Sequence, residues 1–198
     1  MLIPVSATNQ LADIRDLPVV AIDLGFSGST ASCGLAFRKS HGTEIESKNY
    51  QFNACIQKAA ELIASNVNSV LILEAPLSAA FNSNGNPQSR GDFEGKPKPR
   101  WWSLGAGAVM SLAALYFLRE LCQLVHKDTR CNLIEGFVTG ADSVDHAEVA
   151  KSLLNNFLNS KPTCWHQPKA PSIISILDWI EPSLRPHASP IVLMPVTR

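Results

Sequence analysis

The stretch VVAIDLGFSGSTASCG, Val19 to Gly34, decides how the rest of the chain is arranged. Val19-Val20-Ala21-Ile22 is an unbroken apolar run, the pattern of a central strand buried on both faces. The run ends in Asp23, and a carboxylate there is costly to bury unless something neutralises it. A metal ion would do so; alternatively Asp23 caps the turn through backbone amides, the usual fate of an Asp ahead of a turn glycine. Gly25 and Gly28 permit a sharp reversal, and Ser27, Ser29 and Thr30 place hydroxyls and amides at its mouth. The chain then returns as a second strand, Thr30 to Arg38, so the stretch reads as a hairpin carrying an acid at its open end.

Outward from the hairpin, Gly42 turns the chain into a polar third strand near Thr43 to Lys48, whose alternation suits a sheet edge. Phe52, Ile56, Ala59, Ala60 and Ile63 then recur at helical spacing and predict a helix over Phe52 to Asn66. Ser69 to Ala75 is another apolar run, ending in Glu74 and stopped by Pro76, and forms the fourth strand. A long helix is expected from Ser103 to His126, apolar nearly all round in its first half and therefore sandwiched between the sheet and another layer. Cys131 to Thr139 makes a fifth strand containing Glu135. The last helix, Asp142 to Leu158, buries Val149, Leu153, Leu154 and Phe157, with Asp142 at its cap and Asp145 complementing its N-terminus. From Ser160 onward the composition shifts, with seven of the thirteen prolines between Pro162 and Pro195. A domain over residues 1–159 is thus followed by a Pro-rich extension, 160–198, packed on its outside and holding a short helix, Ile173 to Ile180, and a terminal strand, Ile191 to Met194.

Composition narrows the possibilities. With 198 residues the chain holds one ordinary domain, and 17 basic against 17 acidic residues leave no global field to draw it to nucleic acid or an anionic membrane. Five cysteines without a C-x-x-C pair point to reduced thiols and a cytoplasmic protein. The N-terminus lacks the basic start and apolar core of a secretion signal. The longest uncharged run, Trp101 to Leu118, begins in Gly, Ala and Ser and passes straight into Arg119-Glu120, which favours a core helix over a membrane span. Neither a G-x-x-x-x-G-K-[ST] loop nor an H-E-x-x-H motif is present.

The ordered pieces Asp23, Glu74-Ala75-Pro76-Leu77, Arg90-Gly91-Asp92, Ile134-Glu135 and Asp142-Ser143-Val144-Asp145-His146-Ala147 carry a resemblance over about Val19 to Leu158. In this order the chain resembles the ribonuclease-H-like superfamily of Holliday-junction resolvases and integrases. It is most similar to a poorly characterised branch of predicted nucleases in which an acid-x-Pro motif ends strand four and a D-x-x-D-A type signature opens the last helix. The resemblance implies an α/β fold with a mixed five-stranded sheet of order 3-2-1-4-5 and helices on both faces. It brings Asp23 and Glu74 side by side and the start of the last helix to the same place, with Asp23, Glu74 and Asp145 as metal ligands and Asp142 as a fourth catalytic acid. Two Mg2+ or Mn2+ ions held there would activate water and stabilise the leaving oxygen in cleavage of a DNA or RNA phosphodiester. His146 stands where the pattern has a small residue, so Asp142, Asp145 and His146 all stay open as the third ligand. Ser27 and Glu135 are accessory candidates. The implied partner is nucleic acid, without a membrane, with a homo-oligomer or a partner protein as further possibilities. The hairpin is also similar to the first phosphate-binding hairpin of the actin, sugar-kinase and chaperone ATPases, which implies ATP or phosphate binding instead. A non-catalytic nucleic-acid or assembly scaffold of the same fold is the third alternative.

The segment Asn82 to Arg100, rich in Asn, Gly and Pro, reads as a long loop with Arg90, Lys96, Lys98 and Arg100 against two acids, Asp92 and Glu94, and it closes on Trp101 and Trp102. A basic loop ending in aromatics can follow a phosphate backbone and stack on a base through Trp101; otherwise it is a surface loop with its tryptophans tucked into the core. Neutralising the four basic residues is expected to weaken nucleic-acid binding and to flatten its salt dependence, by up to about 0.9 in log–log slope for each duplex-DNA phosphate that is no longer neutralised. Titrations at several salt concentrations check this, and an unchanged slope would make the loop a passive connector.

Overall fold

The structure is a computed structural model, and it describes residues 1, 3, 11–25, 27, 29–86, 106–137, 145–161, 164–166, 172–176 and 191–193. A short helix α1 (Leu11–Ile14) leads into β1 (Val19–Asp23), β2 (Cys33–Arg38) and β3 (Glu46–Tyr50). Then follow α2 (Phe52–Ala64), β4 (Asn68–Leu73), β5 (Ser78–Phe81), α3 (Ala106–Leu124), β6 (Arg130–Gly136) and α4 (His146–Asn159). The chain continues through β7 (Trp165–His166), β8 (Ser172–Ser175) and β9 (Ile191–Leu193). The main sheet is mixed, in the order β3-β2-β1-β4-β6-β9-β7. β1, β2 and β3 pair antiparallel in succession, whereas β1, β4, β6 and β9 run parallel. The five expected strands sit in the expected spatial order within a sheet of seven, with the fifth numbered β6 because β5 intervenes.

Alternation along the strands sorts the core into two halves. Val20, Ile22, Leu71, Leu73 and Leu133 point to one face, where they meet Ile56, Ala59 and Ile63 of α2 and Phe117, Leu118 and Leu121 of α3. Val19, Ala21, Val70, Ile72 and Ile134 point to the other and meet Leu153, Leu154 and Phe157 of α4. The α4 face of the sheet is lined by small residues where the helix crosses it. Ala21 lies opposite Ala36, and a Cβ added to Gly136 would come within 2.8 Å of Ile72 and 3.0 Å of Leu153. Phe157 is fully buried and closes this half against Trp165, ring centroids 5.4 Å apart at 84°.

Several expectations are corrected. The third strand runs Glu46–Tyr50, later than Thr43 to Lys48. Helix α3 buries Ala114, Phe117, Leu118 and Leu121 but leaves Val109, Leu112, Tyr116 and Leu124 between 42% and 67% exposed, so among the described residues it is covered on one side and not sandwiched. By length and composition Gly107–Leu124 would also pass as a membrane-crossing helix. The segment expected as a helix from Ile173 to Ile180 begins instead as strand β8, which pairs antiparallel with β5; residues 177–180 lie outside the described residues. Two adjacent β-branched residues, Ile173 and Ile174, suit that pairing, and a partner strand distant in sequence overrides the local pattern. The extension after Ser160 does not merely coat the domain, since β9 pairs with β6 and β7 pairs with β9 to widen the main sheet.

Phe157→Ala should destabilise the domain by about 3–5 kcal/mol, because the vacated space lies between a close-packed sheet face and Trp165. Chemical denaturation followed by tryptophan fluorescence measures the loss.

Candidate active site

The candidate site forms where α4 begins. The register pairs Asp23 with Gly34 and Gly34 with Asn49, so these residues make one row across β1, β2 and β3. The first turn of α4 lies on this row. A Cβ on Gly34 would stand 1.8 Å from the His146 carbonyl oxygen and 2.7 Å from the Ala147 nitrogen, so only glycine allows the helix backbone to rest on β2. That contact carries His146 onto Asp23, and Nδ1 of His146 lies 2.6 Å from Oδ2 of Asp23. A carboxylate oxygen accepts from a ring N–H, so His146 Nδ1 is the donor in this contact. Asp23 is buried, and His146 keeps 38% of its side chain exposed.

Asp145, one residue earlier, has a different role. It is the N-cap of α4: its Oδ1 accepts from the Ala147 amide at 3.0 Å and from Nδ2 of Asn49 at 2.8 Å. The Asn49 bond and the helix amides hold its carboxyl below the usual carboxylate range. The cap thus falls at Asp145, not at Asp142, because the described helix starts at His146. Asp142 itself lies outside the described residues, as do Arg90, Lys96, Lys98, Arg100 and Trp101.

Glu74 follows β4. Its amide donates to the Ile22 carbonyl at 2.9 Å, and continuing the Ile22–Leu73 pairing by one residue sets it level with Asp23 on the neighbouring strand. Glu135 belongs to neither the site nor the surface. It shares the α2–α3 face with Leu133 by alternation, is fully buried, and its Oε2 accepts from the Leu77 amide at 2.8 Å, fastening the link from β4 to β5. Ser27 is exposed at the hairpin mouth; its amide donates to Ser32 Oγ at 2.8 Å, and its hydroxyl lies 3.4 Å from that of Ser29. The turn is closed across itself, with the position of a Gly25 Cβ only 2.0 Å from the Ser32 carbonyl oxygen. Behind it the Cys33 thiol donates to the Gly25 carbonyl at 2.8 Å. The hydrogen bond with Cys55 holds that thiol below the usual range, aided by Gly25 and opposed by burial.

Among the described residues, no three His, Cys, Asp or Glu side chains converge closely enough to hold a metal ion. A cavity of about 210 Å3 between α3 and β8, lined by Leu77, Ser78, Ser111, Leu112 and Ile174, contains no titratable side chain and lies on the α2–α3 side. Asp23 and His146 are ionisable side chains that the first turn of α4 brings into contact. Sequence reasoning missed Gly34 and Asn49; the only signal was a glycine inside the second strand, which marks a close backbone approach. Comparison with protein-family models, with curated proteins and with solved structures finds no match to the chain.

Gly34→Ala should push the first turn of α4 off β2 and part His146 from Asp23. The expected result is a folded but less stable protein in which exchange protection of the amides of residues 147–150 falls, measured by hydrogen exchange. Unchanged protection would refute the contact.

Proposed function

We propose that the chain is a divalent-metal-dependent nuclease of ribonuclease-H-like type that hydrolyses phosphodiester bonds in DNA or RNA. The observation that carries this reading is the pairing of Asp23, at the end of the central strand, with His146, at the start of the helix that crosses the same sheet face. The order β3-β2-β1-β4-β6, with its antiparallel first half and parallel second half, agrees with the expected fold. Mg2+ and Mn2+ are commonly held by one or two protein carboxylates, with water and substrate phosphates completing the shell. Asp23 and Glu74, level on neighbouring strands, are the carboxylates that would hold such an ion, and with His146 they do not converge into a three-ligand group in this structure; Asp145 is a weaker third ligand because its Oδ1 is engaged by Asn49 and Ala147. His146 meets Asp23 through Nδ1, so its part in the proposed site is to hold and orient the carboxylate that would bind the ion. When bound, the metal would supply an activated water and stabilisation of the leaving oxygen. The chain's own part is to orient the Asp23 carboxylate through Nδ1 of His146 and to set the two strand ends side by side.

The phosphate-hairpin alternative has less support, because the Ser27 amide and the Gly25 turn are occupied by Ser32. Nucleic acid as partner, a homo-oligomer or a delivering protein, and a cytoplasmic location belong to the same proposal. Calorimetry with Mn2+ or Mg2+, paired with cleavage assays on single-stranded, duplex and branched substrates, tests it. The wild type is expected to bind metal and cleave. Asp23→Asn should keep the fold and lose both, whereas undiminished cleavage in that variant would reject the site. ATP binding without cleavage would favour the hairpin reading, and failure of metal, ATP and cleavage together would leave a scaffold.

A further inference from the structure

Asn49 is an unpromising residue for its place. Amide side chains are depleted in strands, β3 is an edge strand, and the Asn49 Oδ1 is buried without a hydrogen-bond partner among the described residues. The orphaned oxygen follows from the use of the other amide atom, since Nδ2 donates to Asp145 Oδ1 at 2.8 Å. A sequence that keeps a poor strand former with an unsatisfied acceptor at an edge breaks local rules, and such breaks concentrate where position matters.

Its position is the end of the Asp23–Gly34–Asn49 row. Over that row the first turn of α4 makes three contacts in order. The Asp145 cap meets Asn49, the backbone of His146 and Ala147 rests on Gly34, and the His146 ring meets Asp23. Gly34 supplies room but no side chain to grip, so lateral placement of the turn falls to its two ends. We propose that Asn49 is a positioning residue for the Asp23–His146 pair: by holding the Asp145 cap over β3 it fixes where the imidazole meets the strand-end carboxylate. Its bearing on metal binding rests on the reading of that pair as part of a metal centre; its bearing on the imidazole does not.

Exchange of the two partners separates positioning from ligation. Asn49→Asp sets a second carboxylate against Asp145 and repels the cap. Asn49→Asp together with Asp145→Asn restores an amide–carboxylate bond with the roles reversed, and Asn caps helices as well as Asp does. Two readouts on the full chain apply: the imidazole Nδ1–H resonance of His146 in 15N-labelled protein, and calorimetric Mn2+ affinity. Asn49→Asp should lose the protected Nδ1–H resonance and weaken Mn2+ binding by about tenfold or more, the usual scale for groups that orient a metal ligand. The exchanged double variant should regain both. Where Asn49→Asp fails to fold, Asn49→Ala replaces it, with the same expected loss of the resonance. Retention of the resonance in a folded single variant overturns the proposal. So does a double variant as impaired as the single, which would mean that the Asp145 carboxylate itself is required. A wild-type protein that binds no Mn2+ defeats the metal reading alone, and the resonance then decides the role of Asn49.

Discussion

The contact on which this structure turns is backbone against backbone: the first turn of α4 resting on β2 at Gly34. A helix normally stands off a sheet by the length of two side chains. Here the separation is set by a missing one, and the rest of the α4 face follows suit, with Ala21 opposite Ala36 and with Gly136 beneath Leu153. Larger residues return further along the helix, where Leu153, Leu154 and Phe157 meet Val70, Ile72, Ile134 and Trp165. The contact at Gly34 delivers a polar side chain, His146, to a depth at which Asp23 would otherwise be a buried carboxylate facing apolar walls.

The two faces of the sheet treat their acids in opposite ways. Asp23 lies toward α4 and meets a second ionisable group with a ring nitrogen to spare. Glu135 lies toward α2 and α3 and is bound to the Leu77 amide, a structural duty that satisfies a turn leaving β4. Asp23 ends β1 and Glu135 stands one residue before the end of β6, and strand phase turns the two acids to opposite faces. Glu74, level with Asp23, is the strand-end acid whose register agrees with the site.

This explains what could be read from the sequence and what could not. The runs at Val19–Ile22, Ser69–Leu73 and Cys131–Gly136 and the helical spacing of Ile56, Ala59 and Ile63 are local signals backed by burial on both sides, and they placed the central strands and α2. The β5–β8 ribbon and β9 depend on partners about 95 and 57 residues away, respectively, and short apolar pieces carry no local mark of such pairing. The local pattern put the cap at Asp142, with Asp145 only complementing the helix N-terminus; Asn49, on a strand nearly a hundred residues earlier, is bonded to Asp145, which caps the described helix. His146 was legible as a departure from a pattern but not as the residue that touches Asp23, because Gly34, which brings it there, looks like any glycine in a strand.

Electrostatics at the same turn accounts for a buried carboxylate at the strand end before any cation is considered. The unpaired amides at the start of α4 give that end a partial positive charge, Asp145 takes up part of it as the cap, and Asp23 lies next to the same turn through His146. Helix end and imidazole hydrogen both face the strand-end acid, so Asp23 has a proton-donating partner in the free protein. Under the proposed function Asp23 and Glu74 would hold the ion, and the Nδ1 contact of His146 would orient the Asp23 carboxylate.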